Sequence, residues 1–259
     1  MSTELQPAAY AVLLSAFSGL GLDDQGRRYL HLGGVSILLG ETCGEYLARS
    51  MSFERCRCES HARFAEVVEA ANTCADAPVL VPVDQKLGGI QRLHRLVPGL
   101  PSAAELQILS SEDIDSRSYE MASSARVMGV NLFLAPIVDV VTGRNPWLHN
   151  RNLGPDPTEV TRIACAFIRG VQRAGVMATA KHVLSHYQTE QDPAVGRASV
   201  AGSVGDLHQG LAVFREVIAA GVKAIMPGPA MFPALDAAVG QYLGKESSAC
   251  CAMPWNSMG

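Results

Sequence analysis

The strongest chemical signal in this chain is a cation and an imidazole at the end of a short apolar segment. After Gly175 the sequence runs Val-Met-Ala-Thr-Ala and then reaches Lys181 and His182. Neither side chain suits strand packing. In a barrel of parallel strands the carboxyl ends of the strands form the active face, so the pair predicts a site there. The other interpretation is a strand end that meets solvent.

An acid and two arginines occupy comparable positions. Asp84 directly follows an apolar run, and Arg92 comes soon after it. Arg151 lies in a long loop behind the next predicted strand. A carboxylate accepts hydrogen bonds from a polyol, a guanidinium donates to hydroxyls or a carboxylate, and Gly88 and Gly89 would let the backbone approach a ligand. Taken singly, Asp84 could form an Asx-type turn and Arg151 could be solvated. Their convergence on one mouth predicts a sugar pocket that contains Asp84, Arg92, Arg151, Lys181 and His182.

Helices and strands alternate regularly around these residues. Glycines that end helices, each followed by an apolar run, recur every 46 residues at Gly129, Gly175 and Gly221. Asp156–Glu159 supplies an N-cap, a proline at the first helical position and an acid in the first turn. Ser203–Asp206 supplies an N-cap with an acid three residues later. This period predicts parallel βα units with right-handed crossovers.

Further apolar runs predict strands at 34–40 and 78–83, and a weaker first strand at 12–17. These runs show no alternation of apolar and polar residues, which is typical of strands that are buried on both faces. Segments 41–75 and 102–128 are predicted to be helical. The fold class is therefore α/β, a TIM-type (β/α)₈ barrel that is incomplete, with about six βα units where closure needs eight.

The domain is predicted to cover residues 1–240, followed by an irregular tail over 241–259. The chain has 259 residues and a formal charge of −4. No basic stripe indicates nucleic acid, and no run is long enough to span a membrane. The apolar stretch 8–17 follows no basic residue, so a cytoplasmic location is expected rather than a signal segment. Seven cysteines without zinc-ligand spacing predict reduced thiols, no metal and no cofactor.

Seven segments together resemble the N-terminal barrel domain of glycoside hydrolase family 3, most closely the single-domain bacterial β-N-acetylglucosaminidases. They match in consistent order between about residues 12 and 240. The segments are 33–40, Val83-Asp84-Gln85 through Gln91-Arg92, 101–103, 129–140, 150–157, 178–182 and 231–236. The resemblance implies a (β/α)₈-type barrel whose mouth binds a sugar or glycoside. It places Asp84, Arg92, Arg151, Lys181 and His182 on positions that hold the sugar in the −1 subsite.

The resemblance also implies retaining hydrolysis of terminal β-N-acetylhexosaminide or β-glucoside bonds. In this chemistry an aspartate attacks the anomeric carbon, and an Asp-His pair on a mobile loop transfers the proton. Asp192 matches the aspartate of that pair, but Ala194 stands where the family has the histidine. His186 or Glu190 could substitute, or His186 could pack against the sugar or the loop.

Other departures concern the nucleophile and the Asp84 motif. After Asp236, which looks structural, no segment up to residue 259 matches the family's strand that carries the nucleophile. In the motif around Asp84, this chain has Lys86, Leu87 and Gly89 where the family pattern has a Glu, a Gly and an Arg. Three explanations stay open: a truncated or frame-shifted product, a non-catalytic sugar-binding relative, or an enzyme with rearranged groups. Impaired turnover is expected, and unpaired strand edges predict possible self-association.

Overall fold

Six parallel strands form the centre of the computed structural model, which describes residues 5–193 and 195–233. Sheet neighbours follow chain order, with β1 beside β2 and a separate row β3-β4-β5-β6. A bridge between Ser36 and Leu80 joins the two groups. The predicted α/β fold with about six strands is confirmed, and within the described ranges the row ends at β1 and β6. The strands are β1 (Ser15–Phe17), β2 (Ile37–Leu39), β3 (Pro82–Val83), β4 (Leu132–Phe133), β5 (Met177–Val183) and β6 (Ala224–Pro227).

Helices connect and cover these strands. Segment 41–75 is helical as predicted, but it forms three helices because Ser52 and Ser60 each cap a new one. The break expected at Ser110-Ser111 in segment 102–128 is confirmed, since Ser110 caps a second helix there. The bounds are α1 (Leu5–Ala11), α2 (Asp24–His31), α3 (Cys43–Ala48), α4 (Phe53–Cys58), α5 (His61–Cys74), α6 (Ala103–Ile108), α7 (Ser111–Val127), α8 (Pro157–Arg173) and α9 (Val204–Ala219).

The predicted helix boundaries that carry capping residues are confirmed. Asp156 accepts a hydrogen bond from the Thr158 amide at 2.9 Å, and Ser203 forms a capping box with Asp206. The three glycines after α7, α8 and α9 have φ values of +89°, +80° and +85°. Only glycine adopts this conformation without strain, so each helix ends where the sequence indicates.

The core lies between the strand row and the helices. Helix α8 turns Val160, Ile163, Phe167 and Val171 inward, and all four are fully buried. Their spacing is that of one helix face. Helices α7 and α8 pack so closely that a Cβ on Gly170 would lie 2.2 Å from the Asp115 carbonyl oxygen. This packing holds β4 and β5 side by side, and therefore aligns their carboxyl ends.

Among the described residues, no helix has the length and apolar character that crossing a bilayer requires. The predicted division into residues 1–240 and a tail over 241–259 stays a prediction, because 234–259 lie outside the described residues.

Candidate functional site

An aspartate at the end of β3 is bound by two lysines. Asp84 follows β3 directly, and Lys181 belongs to β5, two strands away in the row. Lys181 Nζ lies 3.0 Å from Asp84 Oδ1, and Lys86 Nζ lies 2.9 Å from Oδ2. The Lys86 and Lys181 side chains are only 2% and 4% exposed. Asp84 is therefore a partner of two buried ammonium groups, and no hydrogen bond marks it as an Asx turn.

The charges of this cluster shift one another's ionisation. Burial alone would raise the pKa of Asp84, but the ammonium groups of Lys181 and Lys86 together hold it well below its usual range. Burial lowers the pKa of Lys181 and of Lys86, while Asp84 opposes that shift. Asp84 is thus a fixed anion at neutral pH, suited to accepting hydrogen bonds rather than donating a proton.

Arg151 reaches the same region from the loop after β4. It is 4% exposed, so it is no solvated loop residue. Its Nη1 donates to the Trp147 carbonyl oxygen at 3.1 Å, and its guanidinium carbon lies 5.5 Å from the Trp147 ring centroid. A Cβ on Gly88 would lie 2.8 Å from the Asn150 carbonyl oxygen, and one on Gly89 would lie 2.9 Å from Arg151 Cγ. Gly88 and Gly89 thus let their own backbone pack closely against the loop that carries Arg151.

Asp139 orients both histidines of the site. Its Oδ2 accepts from the backbone amide and Nδ1 of His182, each at 2.9 Å. Its Oδ1 accepts from the backbone amide and Nδ1 of His186, each at 2.8 Å. The Trp147 ring stacks on His182, with centroids 4.5 Å apart. Asp139 therefore fixes the Nδ1–H tautomer of both rings, which leaves each Nε2 as the hydrogen-bond acceptor.

The two histidines differ in their surroundings. His186 is fully buried, its Nε2 has no hydrogen-bond partner, and its ring edge faces the Gly228 backbone. This placement matches packing rather than proton transfer to a glycoside. Burial lowers the pKa of His182 to about 4, despite Asp139. His182 is consequently neutral at pH 7.

Asp139, His182 and His186 also have potential ligand atoms within 4.8 Å of one another. The Nδ1 atoms nearest to the carboxylate are already held by it as donors, and a metal ion would have to displace those protons. The arrangement fits a hydrogen-bonded triad. The expectation of no metal and no cofactor stays a prediction.

Arg92 is turned toward Glu59 rather than toward Asp84. Its Nε donates to the Gly40 carbonyl oxygen at 2.7 Å, and its two terminal nitrogens bind the Glu59 carboxylate at 2.7 and 2.8 Å. The side chain is fully buried. A bidentate pair of this kind is strong and geometrically specific. Arg92 thus braces the loop after β2, and its role in holding a sugar stays a prediction.

Asp192, the predicted remnant of the catalytic pair, is held by helix α3. It forms a 2.9 Å ion pair with Arg49 and accepts from the Tyr46 hydroxyl at 3.1 Å. The Glu190 side chain is exposed. Position 194 lies outside the described residues, so the predicted loss of the histidine there rests on the sequence alone, as does the interpretation of Asp236.

Sequence reasoning missed Glu41, Trp147 and Asp139 as site residues. Glu41 follows β2 after one residue, Gly40, and the sequence pattern had predicted it at the start of a helical segment. Burial and the Asp84 charge raise the pKa of this half-buried carboxyl group. Its position just after a strand is the signal that could have found Glu41, whereas Asp139 lies further along the chain, in the segment that follows β4. Trp147 carried no such signal.

The structure thus defines a parallel α/β domain with a polar cluster at the carboxyl ends of its strands. Asp84, Arg151, Lys181 and His182 come together there, linked through Lys86 and Trp147. The family model described as "Glycosyl hydrolase family 3 N terminal domain" matches residues 31–248. The chain belongs to this family.

Curated relatives agree with the family assignment. The chain is 30% identical over 182 residues to a beta-hexosaminidase of Stenotrophomonas maltophilia (strain K279a). It is 31% identical over the same length to one of Xylella fastidiosa (strain M23). Each match covers 67% of this chain and 54% of the relative. The matched part therefore spans about half the length of these relatives.

Solved structures share the fold. A family 3 beta-N-acetylglucosaminidase from Paenibacillus sp. str. FPU-7 superposes with a TM-score of 0.76 at 27% identity, over 89% of this chain and 43% of the other. NagZ from Neisseria gonorrhoeae, solved with N-trifluoroacetyl-D-glucosamine, has a TM-score of 0.71 at 20% identity, over 86% and 65%. At that identity NagZ supports the fold alone.

Proposed function

We propose that this chain binds the terminal sugar of a β-N-acetylhexosaminide at the mouth formed by β3, β4 and β5, and hydrolyses it slowly. The observation that carries the proposal is the contact between Asp84 and Lys181, which brings two distant strand ends together beside Arg151 and His182. A half-buried carboxylate, two kinds of cation and an imidazole acceptor supply both donors and acceptors for sugar hydroxyls. The beta-hexosaminidase relatives support the sugar class.

Slow turnover follows from the state of the carboxylates near the mouth. Retaining hydrolysis needs one carboxylate to attack the anomeric carbon and a second group to protonate the leaving oxygen. Asp84 is bound by two lysines, and Asp139 accepts four N–H groups. Asp192 is held by Arg49 and Tyr46. None of the three is poised to attack. The raised pKa of Glu41 suits this carboxyl group to donating a proton.

The test is nitrophenol release from 4-nitrophenyl N-acetyl-β-D-glucosaminide by this chain and by the Stenotrophomonas maltophilia beta-hexosaminidase. Loss of general acid–base help alone costs about 10²–10⁴-fold in rate. We therefore expect kcat/KM at least about 10²-fold below the relative's. Residual turnover should fall further in Glu41→Gln and remain unchanged in Glu66→Gln, an exposed residue of α5. Turnover within tenfold of the relative would contradict the proposal.

A non-catalytic sugar-binding protein is the second candidate, favoured by the engaged state of Asp84, Asp139 and Asp192. It predicts a thermal shift with N-acetylglucosamine and no nitrophenol release above background. A bound ligand stabilises the folded state by RT ln(1 + [L]/Kd), so millimolar sugar should raise the Tm measurably when Kd is below a millimolar. Release that is abolished by Glu41→Gln would exclude this candidate.

A further inference from the structure

The charges around Asp84 do not balance. Lys86 and Lys181 share its single carboxylate, at 2.9 and 3.0 Å. Arg151 is buried beside them, and no carboxylate oxygen of the described residues lies within 4.0 Å of its guanidinium. Its positive charge lowers the pKa of both lysines, which shows that the three cations act on one another. The cluster therefore contains three basic side chains around one paired carboxylate, and burial lowers the pKa of one of them, Lys86, to about 7.

The other acidic groups at this end do not cancel that excess. Glu59 is used by Arg92, Arg55 and His94. Asp139 is enclosed by four N–H donors from His182 and His186. Among the described residues, Glu41 also lies near Asp84; burial and the Asp84 charge raise its pKa, the charges of Lys86 and Arg92 lower it, and it forms no ion pair within 4.0 Å. Within the described part of the chain, the buried Arg151 guanidinium therefore has no carboxylate partner.

Uncompensated buried charge is costly unless a partner of opposite sign arrives with a ligand. Lys86 is the residue that creates the excess, because it occupies a position where the family pattern has a glutamate. A lysine there places a basic group beside Asp84 where the family pattern has an acidic one. A ligand with a carboxylate or phosphate group would satisfy Lys86 and Arg151 together, while its hydroxyls use Asp84 and His182.

We infer that this site selects a sugar that carries an anionic substituent, a uronic acid or a sugar phosphate, and that Lys86 with Arg151 recognises that group. This inference rests on the proposed sugar-binding function and specifies the substrate class of the same site. It concerns binding and requires no turnover.

The test is calorimetric titration of the full chain with two matched pairs of sugars. Methyl β-D-glucoside is compared with methyl β-D-glucuronide, and N-acetylglucosamine with N-acetylglucosamine 6-phosphate. We expect the anionic member of at least one pair to bind tenfold or more tightly than its neutral partner. A preference in the first pair identifies a carboxylate as the group recognised, and one in the second pair a phosphate.

Variants assign that preference to Lys86. In Lys86→Met, Asp84 keeps Lys181 as its partner, and we expect the preference to fall to within about threefold. Lys86→Arg keeps the charge and should retain the preference, which guards against a folding defect in the first variant. Lys223 is an exposed residue directly before β6, and the control variant Lys223→Met should bind all four sugars as the unaltered chain does.

The opposing outcomes separate this inference from the proposed function. Neutral sugars that bind as tightly as anionic ones would overturn the inference and leave the proposed function standing. Failure of all four sugars to bind would overturn both. Inorganic phosphate that binds as tightly as N-acetylglucosamine 6-phosphate would show an anion site without sugar recognition, and would also overturn the inference.

Discussion

At the residue scale, the site depends on which polar groups already have partners. Asp139 is the clearest case, since its two oxygens accept four N–H groups and set the tautomer of both histidines. Breaking one member of a buried network leaves the others unsatisfied, which costs more than the lost bond itself. His182 therefore has a fixed orientation before any ligand binds, and fixed orientation is what a binding site requires.

The depressed pKa of His182 has a measurable consequence for stability. Its folded-state pKa of about 4 lies below the usual 6.5, so the unfolded state takes up the proton first as pH falls. The stabilisation is complete above about pH 6.5 and is lost between pH 6.5 and 4. In His182→Asn the amide can still donate to Asp139, but the side chain does not titrate. Between pH 7 and 4.5 we therefore expect the free energy of unfolding to fall by about 2 kcal/mol less in the variant than in the unaltered chain. Urea unfolding at both pH values measures this.

The same pH dependence in the variant and the unaltered chain would contradict that assignment. It would mean that His182 is protonated in the folded state, as an imidazolium paired with Asp139. Other acidic groups contribute to both chains alike, so their effects cancel in the comparison.

At the residue scale, strand ends predicted which polar side chains lie close together. Asp84 and Lys181 are in contact because the carboxyl ends of parallel strands meet at one edge, and the sugar-binding role of Asp84, Lys181 and His182 stays a prediction. The bidentate pair of Arg92 with Glu59 could not be found, since it joins loops far apart in sequence. The charge imbalance around Lys86 likewise emerges only when Arg151 is placed beside it.

At the element scale, capping residues determined the result. The helices after β4 and β5 begin and end where Asp156, Ser203 and the C-terminal glycines indicate. Segment 41–75 was predicted less well, because serines that begin new helices there resemble ordinary surface residues in the sequence. Close packing of α7 on α8 was also invisible, although Gly170 permits it.

Gly170 provides the sharpest test of that packing. Alanine normally favours a helix over glycine by roughly 0.5–1 kcal/mol. In Gly170→Ala the new Cβ would meet the Asp115 carbonyl oxygen at 2.2 Å, so we expect instead a loss of about 1–3 kcal/mol in unfolding free energy. Gly205→Ala is the matched control in α9, where the nearest atom lies at 3.4 Å, and it should be neutral or stabilising. Equal stability of both variants in chemical denaturation would refute the packing account.

At the scale of the whole molecule, the strand row has two ends among the described residues. On the β1 side Val12 and Leu13 are 83% and 53% exposed, and on β6 Ile225 is 43% exposed. Strands with unpaired backbone groups and apolar side chains favour association. The self-association predicted from the sequence therefore has a definite location to test.

We expect the chain to associate at tens of micromolar in sedimentation velocity, and Ile225→Lys to shift it toward the monomer. A lysine on an edge strand opposes pairing with another edge. Ile108→Lys is the control, because Ile108 is 84% exposed but lies on α6, away from both ends of the row. An equal shift by the two variants, or a monomer throughout, would rule out association through this edge.

The central claim is that strand ends far apart in sequence form one sugar site around Asp84, Arg151, Lys181 and His182. Saturation-transfer NMR with N-acetylglucosamine tests it most directly, using the unaltered chain, Lys181→Met and the exposed-site control Lys223→Met. The account predicts transfer to the sugar in the unaltered chain and in Lys223→Met, and its loss in a folded Lys181→Met. Transfer of equal strength in all three, or in none, would contradict it.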